Sequence, residues 1–177
     1  MILDRLFPVK PAQTAGRALY AALVEQSRTP ALYESFGVPD TAEGRFEIYT
    51  LHLVLLVDRL RGQGPRAGEV SQVLFDTYLQ GLDDALRELG VGDLSVGKKM
   101  RKLGEAFYGR AKAYEEAFSA LPDVSALNAL IGRTVWDGAD QERPGSLGRY
   151  VCGQREVLAG QDLDAVLSGQ VTWGAAT

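Results

Sequence analysis

The sequence predicts an all-α fold: a single-domain bundle of about six or seven helices around a central apolar helix. Three observations predict it. Apolar residues recur at three- and four-residue spacing along most of the 177 residues, and no stretch alternates as a strand would. One run, Ile48 to Val57, is apolar nearly all round, which suits a helix at the centre of a soluble domain. Pro and Gly punctuate the chain so that helical segments are left between them.

Pro11 suits a first helical turn, where its missing N–H costs nothing. From Ala12 to Arg28 the residues Ala15, Ala18, Leu19, Ala22 and Leu23 form one helical face, ended before Pro30. Pro30 to Phe36 forms a short helix, stopped by Gly37 and Pro39. Asp40-Thr41-Ala42-Glu43 has capping-box spacing, with the Asp40 carboxylate in place of a hydroxyl. It opens the central helix, which runs to Arg61 before Gly62-Gln63-Gly64-Pro65. The next helix spans Ala67 to Leu89, with Phe75, Tyr78, Leu79, Leu82, Leu86 and Leu89 as its apolar stripe and Asp76, Gln80, Asp83, Asp84 and Arg87 opposite. Gly90-Val91-Gly92 breaks it. A long helix covers Ser95 to Ser119, with Met100, Leu103, Phe107, Ala111, Tyr114 and Phe118 facing the core. Pro122 ends it. Asp123 or Ser125 caps a helix to Trp136, Asp137 to Gly145 reads as a loop, and a helix runs from Ser146 to Leu158. Asp162 caps a last short one.

The apolar share, 46%, is ordinary for a globular domain. A chain of this size buries a sizeable core without metal or disulfide. One domain is expected, residues 12–177, preceded by an N-terminal arm over residues 1–11. The single cysteine, Cys152, excludes an internal disulfide and reads as a small buried hydrophobe rather than a reactive thiol. The formal net charge of −4 excludes a general polyanion binder, and no sequence-specific nucleic-acid recognition is expected. The start of the chain lacks a secretory core and a transit-peptide composition. The run from Ile48 to Val57 falls well short of the ~20 residues that span a bilayer. A cytoplasmic protein is expected, with any membrane role peripheral.

Enzyme chemistry is poorly supplied. One histidine and one cysteine exclude His clusters and Cys-rich zinc sites, so neither catalytic residues nor a metal nor a cofactor is expected. His52, inside the most apolar helix, reads as a core imidazole and not as a base, which needs access to substrate. Gly92-Asp93-Leu94-Ser95-Val96-Gly97-Lys98-Lys99 copies the spacing of a phosphate loop. It has Lys99 where Ser or Thr must hold magnesium, and it follows a helix where a strand is required. Asp76, Asp83 and Asp84 share a face but lack the Glu-x-x-His partners of a diiron bundle, so they read as a solvated acidic face.

The charge split between two consecutive helices is more informative. Glu69 to Leu89 carries five acids and one base; Lys98 to Lys112 carries six bases and one acid, Glu105. The bases are Lys98, Lys99, Arg101, Lys102, Arg110 and Lys112. Lys98, Arg101, Lys102, Glu105, Tyr108 and Lys112 fall on roughly one side of their helix. Two readings stand: the helices neutralise each other or their charges are simply solvated, or the bases with Tyr108 form a docking face for an acidic partner, RNA or anionic headgroups. Arg110 is the outlier, with an acid on a neighbouring helix as its alternative partner. At the N-terminus, Ile2, Leu3, Leu6 and Phe7 cluster on one side of a helical turn before Pro8. They either pack on their own domain, stay disordered, or form an apolar arm for a partner or membrane edge.

Two blocks of sequence carry a family likeness. The first is Leu32-Tyr33-Glu34, then Gly37-Val38-Pro39-Asp40-Thr41, then Arg45-Phe46-Glu47-Ile48-Tyr49-Thr50-Leu51-His52-Leu53 and Arg59-Leu60. The second is Leu74-Phe75-Asp76, then Arg87 through Lys99, then Phe107-Tyr108-Gly109-Arg110-Ala111-Lys112-Ala113-Tyr114-Glu115. Over Leu32 to Phe118 the chain resembles the ubiquinol–cytochrome c chaperone family, the Cbp3-type assembly factors of the cytochrome bc1 complex. Without a mitochondrial presequence it looks like a bacterial member. The resemblance implies a non-enzymatic chaperone that binds newly made cytochrome b or a bc1 assembly intermediate. It also implies work at a membrane or ribosome surface, here the inner membrane. The other reading from the helical pattern is a bundle carrying a lipid- or quinone-like ligand in an internal cavity.

Overall fold

The computed structural model describes residues 10–138 and 143–176. The predicted arm residues Ile2, Leu3, Leu6 and Phe7 lie outside the described residues. The chain forms eight helices among the described residues: α1 (Pro11–Ser27), α2 (Pro30–Glu34), α3 (Ala42–Leu60), α4 (Pro65–Glu88), α5 (Asp93–Ser119), α6 (Ser125–Val135), α7 (Arg143–Ala159) and α8 (Leu163–Val166). Six are long; α2 and α8 have five and four residues. The architecture is the expected all-α bundle.

α3 is the central helix. Leu51 through Leu56 are consecutively buried, and α3 packs against α1, α4, α5, α6 and α7. A helix surrounded on all sides has no polar face to give to water, which is why its sequence has none there. α1 lies along α4. The crossing is close because Gly16 has no side chain: a Cβ there would stand 2.6 Å from Val73 Cγ1 and 2.9 Å from the Leu74 nitrogen.

The helix starts differ from expectation by a few residues, each for a local reason. α3 is capped by Thr41, whose hydroxyl accepts from the Gly44 N–H at 3.1 Å. Asp40 instead accepts from Arg45 Nε at 2.5 Å. α4 begins at Pro65, since proline at a first helical position loses no hydrogen bond. α5 begins at Asp93, where a carboxylate meets the positive end of the helix dipole, and α7 begins at Arg143. Val124 is the N-cap of α6, and Asp123 Oδ1 accepts from the Ser125 N–H at 2.9 Å. Leu89 does not belong to the core stripe of α4: it is the C-cap, 74% exposed, and the chain turns away at Gly90 with φ +80°.

The buried polar groups of α3 are tied to neighbouring helices. His52 is fully buried, with Nδ1 2.8 Å from the Ile48 carbonyl and Nε2 2.7 Å from the Tyr150 hydroxyl, which also accepts from Gln26 Nε2 at 2.9 Å. The carbonyl can only accept, so Nδ1 carries the proton and Tyr150 donates to Nε2. Thr50 and Tyr78 share a hydroxyl–hydroxyl bond of 2.8 Å between α3 and α4.

Candidate docking surface on the fifth helix

α5 is fixed from beneath by three kinds of contact. Val96, Phe107, Tyr114, Ala117 and Phe118 are buried, with Met100, Leu103 and Ala111 packed beside them. The Phe107 ring sits 4.8 Å from Phe75 and 5.7 Å from Tyr78 of α4. Arg110 forks onto Glu47 of α3, with Nε–Oε2 and Nη2–Oε1 both 2.9 Å. Arg61, just past α3, pairs with Glu115.

The opposite face of α5 is exposed along its length. Leu94, Lys98, Arg101, Glu105, Tyr108 and Lys112 follow one another at four- and three-residue steps, which keeps them in one stripe about 27 Å long. All six are exposed. Leu94 is 102% and Tyr108 66% exposed, unusual values for side chains of their size. Leu89 adds a third exposed apolar side chain at the α4–α5 turn. Tyr108 is nevertheless braced, edge-on to Phe107 at 5.7 Å and tilted on Phe75 at 6.1 Å. Lys99 and Lys102 stand exposed to one side of the stripe.

The charges of α4 and α5 do not neutralise each other. Three of the five acids of α4 are engaged on their own helix: Asp76 and Asp84 accept from Gln72 and Gln80, and Asp83 binds Arg87 at 2.6 Å. The one cross-pair joins Arg87 to Asp93, with the base on α4. Lys98, Lys99, Arg101 and Lys102 make no ion pair among the described residues, and Lys112 reaches Glu116 only at 3.9 Å. Arg110 departs from the predicted face. Its side chain is 31% exposed, it points to the core side of α5, and the bond to Glu47 raises its pKa. Gly109 beside it is not a site of close packing, since a Cβ there would meet nothing within 4 Å. The same is true of Gly97 and Gly104. Each interior glycine costs a helix about 1 kcal/mol relative to Ala, and the fold gives nothing in return. Their effect is to lower the helix surface on either side of the stripe.

The remaining candidate sites are quiet. Gly92 caps α5 and Asp93 to Lys99 are helical, so the false phosphate-loop motif offers no loop of free amides. Burial pushes the His52 pKa down to about 4, which leaves a neutral core imidazole with no route to a substrate. Cys152 is half-buried, and burial together with Glu156 pushes its thiol up, away from the reactive thiolate. Among the described residues no three His, Cys, Asp or Glu side chains gather to hold a metal ion, and no helix is long and apolar enough to cross a membrane. A cleft of about 700 Å³ lies between the end of α3, the α5–α6 turn and α7, but it opens to solvent and is crossed by the Asp58–Arg155 ion pair of 2.7 Å. It is not the enclosed apolar chamber that a lipid- or quinone-carrying bundle requires.

The chain matches the family described as ubiquinol-cytochrome C chaperone over residues 34–173, well past the block that ends at Phe118. The crystal structure of the Cbp3 homolog from Brucella abortus has the same fold, with a TM-score of 0.86 and 34% identity over 99% of this chain and 98% of that one. Ubiquinol-cytochrome-c reductase complex assembly factor 1 of Xenopus laevis is 23% identical over 164 residues, covering 90% of this chain and 80% of the relative. The Mus musculus protein of that name is 25% identical over 164 residues, and there the chain spans about half (54%) of the relative's length. With the match running through all but the ends of the bundle, this chain belongs to the ubiquinol-cytochrome C chaperone family.

Proposed function

We propose that this protein is a non-enzymatic chaperone in assembly of the ubiquinol–cytochrome c reductase (bc1) complex, holding newly made cytochrome b or an early intermediate that contains it. The observation that carries this reading is the family match over residues 34–173. The names of the Xenopus laevis and Mus musculus relatives, assembly factors of that complex, point the same way. We assign the contact to the exposed stripe of α5: Lys98, Arg101 and Lys112 with Tyr108 and Leu94, flanked by Lys99 and Lys102. Five exposed cations, four of them without an ion pair among the described residues, attract an acidic segment, and two apolar side chains held in the open reward its close approach. A membrane protein as client places the work at an anionic surface, the inner membrane or the ribosome, which suits the same cations.

Each exposed cation near an anionic surface contributes about 1 kcal/mol at most. Four together shift affinity by two to three orders of magnitude, with strong dependence on salt. The test combines Lys98→Glu, Arg101→Glu, Lys102→Glu and Lys112→Glu in one tagged chain whose helicity and melting match the parent. Capture of cytochrome b from membranes of the source organism is then measured at two salt concentrations. Loss of capture at low salt is expected. Parental capture with an unchanged salt response would show that the bases are a solvated face only.

A further inference from the structure

After α8 the chain turns at Gly169, with φ +88°, where a Cβ would stand 2.7 Å from Ala18 Cβ. Residues 170–176 then run without helix back along α7, in the opposite direction. Val171 and Trp173 pack on the core with Thr172 exposed between them, the alternation of an extended strand, and beyond Gly174 the order shifts, with Ala175 exposed and Ala176 packed on the core. Among the described residues no second strand pairs with this one. Two glutamines take that role, Gln154 of α7 and Gln161 in the turn that follows it. Gln161 Nε2 donates to the Thr172 carbonyl at 2.8 Å and its Oε1 accepts from the Thr172 N–H at 2.8 Å. Gln154, 2% exposed, does the same for Gly174 with two bonds of 2.8 Å. Each fork closes the two-bond ring that neighbouring strands make with one another.

A fork of this kind reads backbone and is blind to side chains. Selectivity is left to two positions. The Trp173 ring sits against His52 at 5.1 Å and 80°. At Gly174 a Cβ would lie 3.3 Å from both Gln154 Nε2 and Val157 Cγ2, tight enough that a larger side chain must push these neighbours aside, which favours a small residue there. The tail fits the first position imperfectly: the Trp173 Nε1–H is buried and has no partner among the described residues. An unpaired buried donor carries its full desolvation cost, which a Phe in the same place avoids. Beside Gly174 and Ala175 the groove opens into a cleft of about 600 Å³ between the end of α2 and α7, walled also by Phe36, Tyr150, Arg149 and Val157.

We propose that this groove along α7 is a binding site for an extended polypeptide segment, filled in cis by residues 171–176 and exchangeable for a partner's segment that carries Phe, or another large apolar residue without an N–H, followed by a small residue. It is independent of the α5 face. The tail, tethered beside its site, competes at an effective concentration on the order of millimolar, so a partner's apparent affinity rises as the tail is weakened.

The test uses the full chain and two labelled peptides. One copies residues 170–176 with Trp173→Phe; the control carries Gly174→Val in addition. In a chain with Trp173→Ala, shown by circular dichroism to remain helical, the Phe peptide is expected to bind at least about tenfold tighter than to the parent, and the control not at all. Gln161→Ala, which loosens the more exposed fork and leaves the core alone, is expected to speed amide exchange at Thr172 and Gly174 and to give an intermediate gain. Equal peptide binding by parent and both variants, or equal binding of the two peptides, would show that the tail is a fixed part of the core. A parent chain that runs as a dimer and is returned to monomer by the Phe peptide would give the groove to the tail of a second copy and overturn the partner assignment.

Discussion

Arg110→Ala tests the ion pair that locks α5 onto the central helix. Glu47 is 7% exposed and its carboxylate receives both arms of one guanidinium. Removing the guanidinium strands a nearly buried carboxylate and leaves a gap above it. Breaking a fully buried pair from one side costs roughly 3–5 kcal/mol. Arg110 is 31% exposed, so water can enter the vacated space, and about 2–4 kcal/mol is the better expectation. Arg110→Lys keeps the charge but loses the fork, and should recover about half of that loss. Replacing both partners together, Glu47→Leu with Arg110→Met, removes the charges and keeps the volume, so it should cost less than Arg110→Ala alone. Urea unfolding at neutral pH, read by circular dichroism, of the parent, Glu47→Leu, Arg110→Met and their double gives the cycle and its coupling energy, with Arg110→Ala and Arg110→Lys measured beside them. A loss under about 1 kcal/mol for Arg110→Ala, or a double variant as unstable as the sum of its singles, would mean that the pair does not hold α5.

Three further outcomes are expected. Leu53→Asp, at a position fully buried in α3, should cost more than about 4 kcal/mol and lower the melting temperature by roughly 8–16 °C; parental melting would remove α3 from the centre of the bundle. His52, held neutral with a folded pKa of about 4, takes up a proton more readily when unfolded. Its contribution is therefore intact above the unfolded value of 6.5 and is lost as pH falls from there towards 4, by up to about 3 kcal/mol; His52→Gln should flatten stability over that window relative to the parent, and an unchanged profile would refute the assignment. Gly97→Ala, Gly104→Ala and Gly109→Ala, where a methyl group meets nothing, should each stabilise the fold by about 0.5–1 kcal/mol. If partners approach the α5 backbone closely, the same changes should weaken cytochrome b capture; equal capture would place the contact at the tips of the stripe alone.

Much of the bundle was legible because helix boundaries and faces are local matters. Pro, Gly and polar caps marked the breaks, and the all-round apolar run of α3 could only sit inside. What failed was local as well. Leu89 continued the stripe of α4 in perfect phase, but periodicity does not say where a helix stops, and one residue past its end the side chain points to water. Arg110 did carry a signal. It stands three residues after Phe107 and four before Tyr114, on the buried side of α5, and Glu47 is the lone acid in the buried stretch of α3. A base and an acid that each break an apolar face invite pairing. The clasp on the C-terminal tail had no signal to give, since two glutamines seven residues apart look like any solvated pair until a backbone lies across them.

The two surfaces obey different physics, and their placement keeps them from interfering. The α5 stripe acts at a distance: its cations work through a field that reaches about a Debye length, roughly 8–10 Å at physiological salt, and their arrangement tolerates a loosely ordered partner. The α7 groove acts only in contact, through two forks whose four bonds are 2.8 Å long and a pocket for one ring. The field of α5 cannot discriminate among acidic segments, and the groove cannot attract anything from afar. α3 lies between them, packed against both helices. The groove's present occupant leaves an indole N–H without a partner among the described residues. Salt should therefore weaken the first encounter and leave the second unchanged. Charge reversal on α5 and release of the tail by Trp173→Ala should act on different rates, the first on association and the second on dissociation. If both variants changed the same rate in the same salt-dependent way, the two surfaces would be parts of one site, and the separation argued from their chemistry would be wrong.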